Sequence, residues 1–173
     1  MPASVSRPLY TPEQRRRRDA SRWTLVQGVL APLQLLVMLV SAALVVRHLA
    51  TGEGWTAAAL SVVAKTALLY TIMVTGAIWE KEVFGRWLFA PAFFWEDVVS
   101  MGVIALHTVY LAGLVFPLLS AEGLSWRALA AYAAYGANAV QFLLKLRAAR
   151  RQEWSEVASS TVARPATAMR GAA

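Results

Sequence analysis

The stretch Ile78-Trp79-Glu80-Lys81-Glu82-Val83-Phe84-Gly85-Arg86-Trp87-Leu88-Phe89-Ala90-Pro91-Ala92-Phe93-Phe94-Trp95-Glu96-Asp97 separates two membrane-length apolar runs and decides how the chain folds. It holds four of the ten acids and three of the seven tryptophans. Aromatic rings concentrate where a bilayer meets water, because the ring is apolar and its tip is wet. Gly85 and Pro91 argue against a single helix through the stretch. One helix is predicted to end near Phe84 and the next to begin near Pro91, since proline suits a first turn. Carboxylates beside such rings are partly desolvated, which favours the protonated form that a general acid needs. The plainer reading is an interfacial loop anchored by aromatics, with its acids simply solvated.

Outward from this stretch the chain reads as four apolar runs. They cover about 23–49, 55–79, 93–119 and 126–146, each near the ~20 residues that a helix needs to cross a bilayer. The hydrophobic fraction of 58% is too high for an ordinary soluble domain of 173 residues. There is no cysteine, so disulfides, thiolate metal sites and a thiol nucleophile are excluded. The first run is too long for a signal peptide's apolar core and lacks a small-residue cleavage site. Pro32 predicts a kink or local loosening in it.

Charge sets the expected topology. Fourteen of the 17 Lys and Arg residues lie in the two tails and the central stretch. The net charge of +7 therefore reflects membrane orientation better than nucleic-acid binding. The expected fold is an all-α polytopic membrane protein with four transmembrane helices and both termini cytoplasmic. Residues 1–20 form a basic, mobile cytoplasmic tail in this reading. Residues 21–151 form the four-helix domain, and 152–173 a disordered cytoplasmic tail.

Polar residues inside the spans are the next candidates. Lys65 either serves a functional site or snorkels to the interface. Thr66, Thr71 and Thr75 add hydroxyls, and Gly76 allows close helix contact. At 100° per residue, Glu96, Ser100, Val103, His107, Tyr110 and Leu114 share one line of the third span. Glu96 and His107 stand about 16 Å apart along it, too far to touch but within reach of one large flat ligand. His107 is a hydrogen-bonded packing residue or an axial ligand to a metal in a bound pigment; the protein alone offers no metal site. Asp97 points about 100° away, toward a cap or a pair with Arg86 or Lys81. On the fourth span Tyr135, Asn138, Gln141, Phe142 and Lys145 form a narrow polar face, which suits a bundle interior. His48 beside Arg47 reads as an interfacial residue.

No phosphate loop, His-Glu-x-x-His, serine elbow or nucleic-acid module is present. Clustered carboxylates and aromatics facing the cytoplasm, with polar groups deeper, suit proton transfer to a planar apolar substrate. They also suit pigment binding or assembly and, less well, transport.

The segments Leu9–Arg15, Trp23–Gly28, Ala31–Gln34, Thr71–Gly76, Trp79–Gly85, Ala90–Asp97 and Gln141–Arg147 resemble the 3-vinyl bacteriochlorophyllide hydratase family of bacteriochlorophyll biosynthesis. The likeness runs from about residue 9 to 151. The Trp-Glu-Lys-Glu-Val-Phe-Gly and Phe-Phe-Trp-Glu-Asp blocks are its most specific parts. The resemblance implies a hydro-lyase of a bacterial inner (intracytoplasmic) membrane. It would add water to the C3 vinyl group of chlorophyllide a or 3-vinyl bacteriochlorophyllide, giving a 1-hydroxyethyl group. It implies no cofactor, because the magnesium belongs to the substrate. The partners are the pigment, water and lipid, with no nucleic acid. A homo-oligomer or a complex with other pigment-biosynthesis enzymes is also in keeping with it. The alternative is a non-catalytic tetrapyrrole carrier or photosystem assembly factor. Among Glu80, Glu82, Glu96 and Asp97, Glu96 ranks first as proton donor, because it alone lies on the line of Ser100, His107 and Tyr110. Trp79, Trp95, Arg86, Asn138 and Lys65 join those three as expected substrate contacts.

Overall fold

The computed structural model describes residues 9–116 and 119–168, with side chains described to 151 and at 154 and 155. These residues form five helices and no strand. They are α1 (Pro12–Ala20), α2 (Arg22–Thr51), α3 (Trp55–Phe84), α4 (Phe94–Val115) and α5 (Ala121–Ala168). Among the described residues, α2, α3 and α4 are long and apolar enough to cross a membrane.

The ends follow local chemistry. Gly52 and Gly85 close α2 and α3 in left-handed conformations, at φ 74° and 80°, which cost glycine little. Gly85 stops α3 where the sequence places its end. α4 starts later than expected. Pro91 opens a turn in which the Phe93 amide donates to the Ala90 carbonyl at 2.8 Å, and the helix begins at Phe94. Proline pre-sets the turn's first corner as readily as a helix's first residue. Pro32 lies within α2, which stays one helix.

Residues 9–21, the described part of the segment before α2, are ordered where composition suggests a mobile tail. Thr11 and Gln14 form a capping box around Pro12, which satisfies two of the helix's free amides. Tyr10 is buried and stacks on Phe84 at 5.7 Å. An aromatic anchor two residues before the helix thus holds α1 against α3. At the other end α5 stays helical to Ala168, where disorder is expected from 152. The strong helix formers Arg147-Ala148-Ala149-Arg150-Arg151-Gln152 carry the helix past the last apolar turn. The expected positions of residues 1–8, Pro117 and Gly171 lie outside the described residues.

Helices in lipid gain little from apolar burial and associate through close packing and hydrogen bonds. The interior shows both. Ala58, Ala128 and Ala131 are fully buried and let neighbouring backbones approach. Gly76 sits against the Gln27 side chain, whose amide donates to Thr75 Oγ1 at 2.7 Å. This supports the close contact expected at Gly76. The main core joins Met38, Val45, Val62, Tyr110, Leu124 and Tyr132.

Candidate active site

The loop between α3 and α4 is held from below by two acids. Glu80 lies in the last turns of α3 and Asp97 in the first turn of α4. The Ala90 amide donates to Glu80 Oε2 at 3.1 Å, and the Phe89 amide donates to Asp97 Oδ2 at 2.7 Å. Phe89 adopts φ 58°, a left-handed conformation that is strained for a side chain of this size. The two carboxyl groups are buried and hold the amides of adjacent residues, so they lie side by side. Burial and a like-charged neighbour disfavour ionising both carboxyl groups, which favours keeping one proton on the pair. The helix dipoles favour negative charge on Asp97, at an N-terminus, over Glu80, near a C-terminus. The expected pairing of Asp97 with Arg86 or Lys81 is not formed; Lys81 instead donates to the Gly85 carbonyl at 3.1 Å. Asp97 instead takes the Phe89 amide of the loop.

Two sets of aromatics flank the pair. Phe93 is buried, with Tyr10, Trp79, Phe84 and Phe142 around it at ring distances of 5.5–6.3 Å. Trp79 also donates from its indole to Thr24 Oγ1 at 2.9 Å. This cluster is a closed floor. Trp87, Phe89, Phe94 and Trp95 are exposed, Trp95 at 72%. Phe94 touches Phe89 and Trp95 at 5.8 and 5.5 Å, so these rings form an open outer row. Arg86 is exposed beside it.

The polar line on α4 does meet the polar face of α5. Lys145 Nζ donates to Glu96 Oε2 at 2.7 Å, and Asn138 Nδ2 donates to Ser100 Oγ at 2.8 Å. The His107 and Tyr132 rings lie 5.9 Å apart. Glu96, ranked first from sequence, is thus the acidic half of an ion pair, and Lys145 also sits over the Phe93 ring. Glu82 is exposed and accepts from Ser21 Oγ at 2.7 Å. Ser21 in turn caps α2, so Glu82 fastens the α1–α2 corner.

A second polar cluster lies deeper. Lys65 does not snorkel. It is fully buried, and its Nζ stands 3.0 Å from His107 Nε2. His107 Nδ1 donates to the Val103 carbonyl at 2.8 Å, which leaves Nε2 as the acceptor for the lysine. Both ring nitrogens are engaged, so ligating magnesium would require Lys65 to release Nε2. The Tyr135 ring faces the ammonium at 4.2 Å. Tyr132 hydroxyl pairs with Ser41 Oγ at 2.6 Å, and Ser41 pairs with Ser61 at 2.7 Å. Tyr110 is buried in the adjoining apolar core.

The candidates therefore fall into two groups about 15 Å apart along α4, measured from Asp97 to His107. Three contributors escaped the sequence reading. Phe89 gives no sign in sequence of its backbone conformation. Tyr10 and Ser21 lie in what reads as a polar tail, although Thr11-Pro12-Glu13-Gln14 carries a helix-start signal.

Comparison with known proteins gives a consistent result. The pattern of the family described as 2-vinyl bacteriochlorophyllide hydratase matches residues 10–148. A protein of that name from Cereibacter sphaeroides is 66% identical over 150 residues, covering 86% of this chain and 92% of its own length. One of the same name from Rhodobacter capsulatus is 61% identical over 166 residues, covering 94% and 96%. No solved structure matches.

Proposed function

The chain belongs to the 2-vinyl bacteriochlorophyllide hydratase family, and from that premise we propose that it hydrates the C3 vinyl group of chlorophyllide a or 3-vinyl bacteriochlorophyllide. (Positions 2 and C3 are the same ring carbon in two numbering schemes.) Protonation of the terminal vinyl carbon gives a cation that the conjugated macrocycle delocalises. Water adds at the inner carbon and returns a proton to the enzyme, leaving the 1-hydroxyethyl group.

One observation carries the site assignment: Glu80 and Asp97 are buried together beneath a loop that presents exposed aromatics. We assign the proton to this pair, ahead of Glu96, which is occupied by Lys145. Phe94 and Trp95 offer a face for the flat ring, and Arg86 offers a charge for its propionate. Purified full-length protein should convert vinyl chlorophyllide without any other protein. The Soret and Qy bands should shift blue, and oxygen from labelled water should appear in the product. Binding without conversion would support the tetrapyrrole carrier or assembly reading instead.

In the same proposal α5 supplies a fourth span, about 126–146, and both tails and the acid-bearing loop face the cytoplasm of a bacterial inner membrane. The charge asymmetry supports it. The chain has no cysteine, so Arg86→Cys gives a single label site. An impermeant thiol reagent should modify it only from the cytoplasmic side. Labelling from the periplasm would invert the topology.

A further inference from the structure

α2 carries Gln27, Gln34, Ser41 and His48 at seven-residue intervals, on one face that drifts only ~20° per interval. Three of the four are satisfied. Gln27 bonds to Thr75, Ser41 to Ser61 and Tyr132, and His48 Nδ1 lies 3.3 Å from the Glu53 carbonyl. Gln34 is 1% exposed, and neither its Oε1 nor its Nε2 has a hydrogen-bond partner among the described residues. An amide left so in an apolar interior is costly, so it calls for a ligand.

Two further groups point to where that ligand sits. Asn138 Oδ1 is also buried without a partner among the described residues. Paired contacts make α2 antiparallel to α3, α3 to α4 and α4 to α5, so α2 and α5 are antiparallel and the Ser41–Tyr132 bond sets their register. Gln34 lies seven residues from Ser41 and Asn138 six from Tyr132, toward the same end, so their depths differ by only ~1.5 Å. The Gln27–Thr75 and Ser41–Ser61 bonds put Gln34 opposite position 68 of α3, within one turn of Lys65. The Lys65 amine has donor capacity beyond its contact with His107. The ligand must both donate and accept, and it must be small. Two acceptor oxygens disfavour an anion, and the lysine disfavours a cation.

We propose that Gln34, Asn138 and Lys65 wall a polar pocket that holds ordered water inside the bundle. Buried water typically makes two to four such bonds. The pocket links the Lys65–His107 pair to the Ser100–Asn138 contact and gives the pair a partner for proton exchange. It stands apart from the acids under the loop, so it does not depend on the hydratase reading.

Hydroxyl-radical footprinting of the full-length protein in nanodiscs tests it, because radicals formed from bound water oxidise the side chains beside it. Met38, one turn from Gln34 and 8% exposed, is the reporter. It should be oxidised in the wild type and protected in Gln34→Leu. An unlabelled Met38 in the wild type, or equal labelling in both, overturns the pocket. Thermal unfolding gives an independent sign. If water satisfies the amide, Gln34→Leu lowers Tm, and its effect is non-additive with Asn138→Leu. If the amide is truly unpaired, Gln34→Leu raises Tm, and the proposal fails.

Discussion

Glu80→Gln is expected to slow vinyl hydration by about 10²- to 10⁴-fold, the usual cost of losing a general acid, while pigment binding is retained. The argument rests on what the new carboxamide keeps. Its oxygen would still accept from the Ala90 amide, which now bonds Glu80 Oε2. Its nitrogen would donate to Asp97, so the loop keeps its support. It cannot deliver a proton to carbon. Asp97→Asn should behave similarly, since its carbonyl can still accept from the Phe89 amide, although the shared proton is gone. Glu96→Gln should stay within a few-fold of wild type, because the loss falls on the contact with Lys145. Single-turnover absorbance measures the rate, and pigment fluorescence measures binding. A collapse in Glu96→Gln with near-normal turnover in Glu80→Gln would restore the ranking read from sequence and sink the carboxyl-pair assignment.

The second large effect is on stability. Lys65→Met or His107→Leu should each cost about 1–3 kcal/mol, because each leaves a buried polar partner unmatched. Lys65 and His107 are both fully buried. In His107→Leu the amine loses its only side-chain acceptor among the described residues and keeps the face of Tyr135. In Lys65→Met the imidazole keeps its bond to Val103 but loses the donor at Nε2. The double variant replaces both polar groups with apolar ones of similar size. It should therefore be less destabilised than the sum of the singles. Reversible unfolding in mixed micelles supplies the three values. Single effects within ~0.5 kcal/mol, or strict additivity, would show that the contact does not hold the bundle together.

Membership of the helical class, the ends of the first two long helices and the polar stripes on α4 and α5 were all legible in residue order. Each depends on local or periodic information: apolar run length, a glycine able to take positive φ, and 100° per residue. The pairing of the two stripes was half legible. Glu96, Ser100 and His107 align by spacing, but Lys145, Asn138 and Tyr132 become their neighbours only through the antiparallel register of two helices. The roles of the carboxylates were not legible at all. Glu80, Glu82, Glu96 and Asp97 have similar intrinsic chemistry and lie within one short stretch. They are told apart by partners drawn from other parts of the chain: Ser21 for Glu82, Lys145 for Glu96, and each other for Glu80 and Asp97. The same holds for Lys65, whose long stem permits either snorkelling or burial. Only packing against α4 and α5 brings His107 and Tyr135 to its amine. Sequence determines what each group can do, whereas its charge state and use depend on what lies within about 4 Å, where electrostatic and hydrogen-bond energies are large. Tertiary structure alone sets that shell.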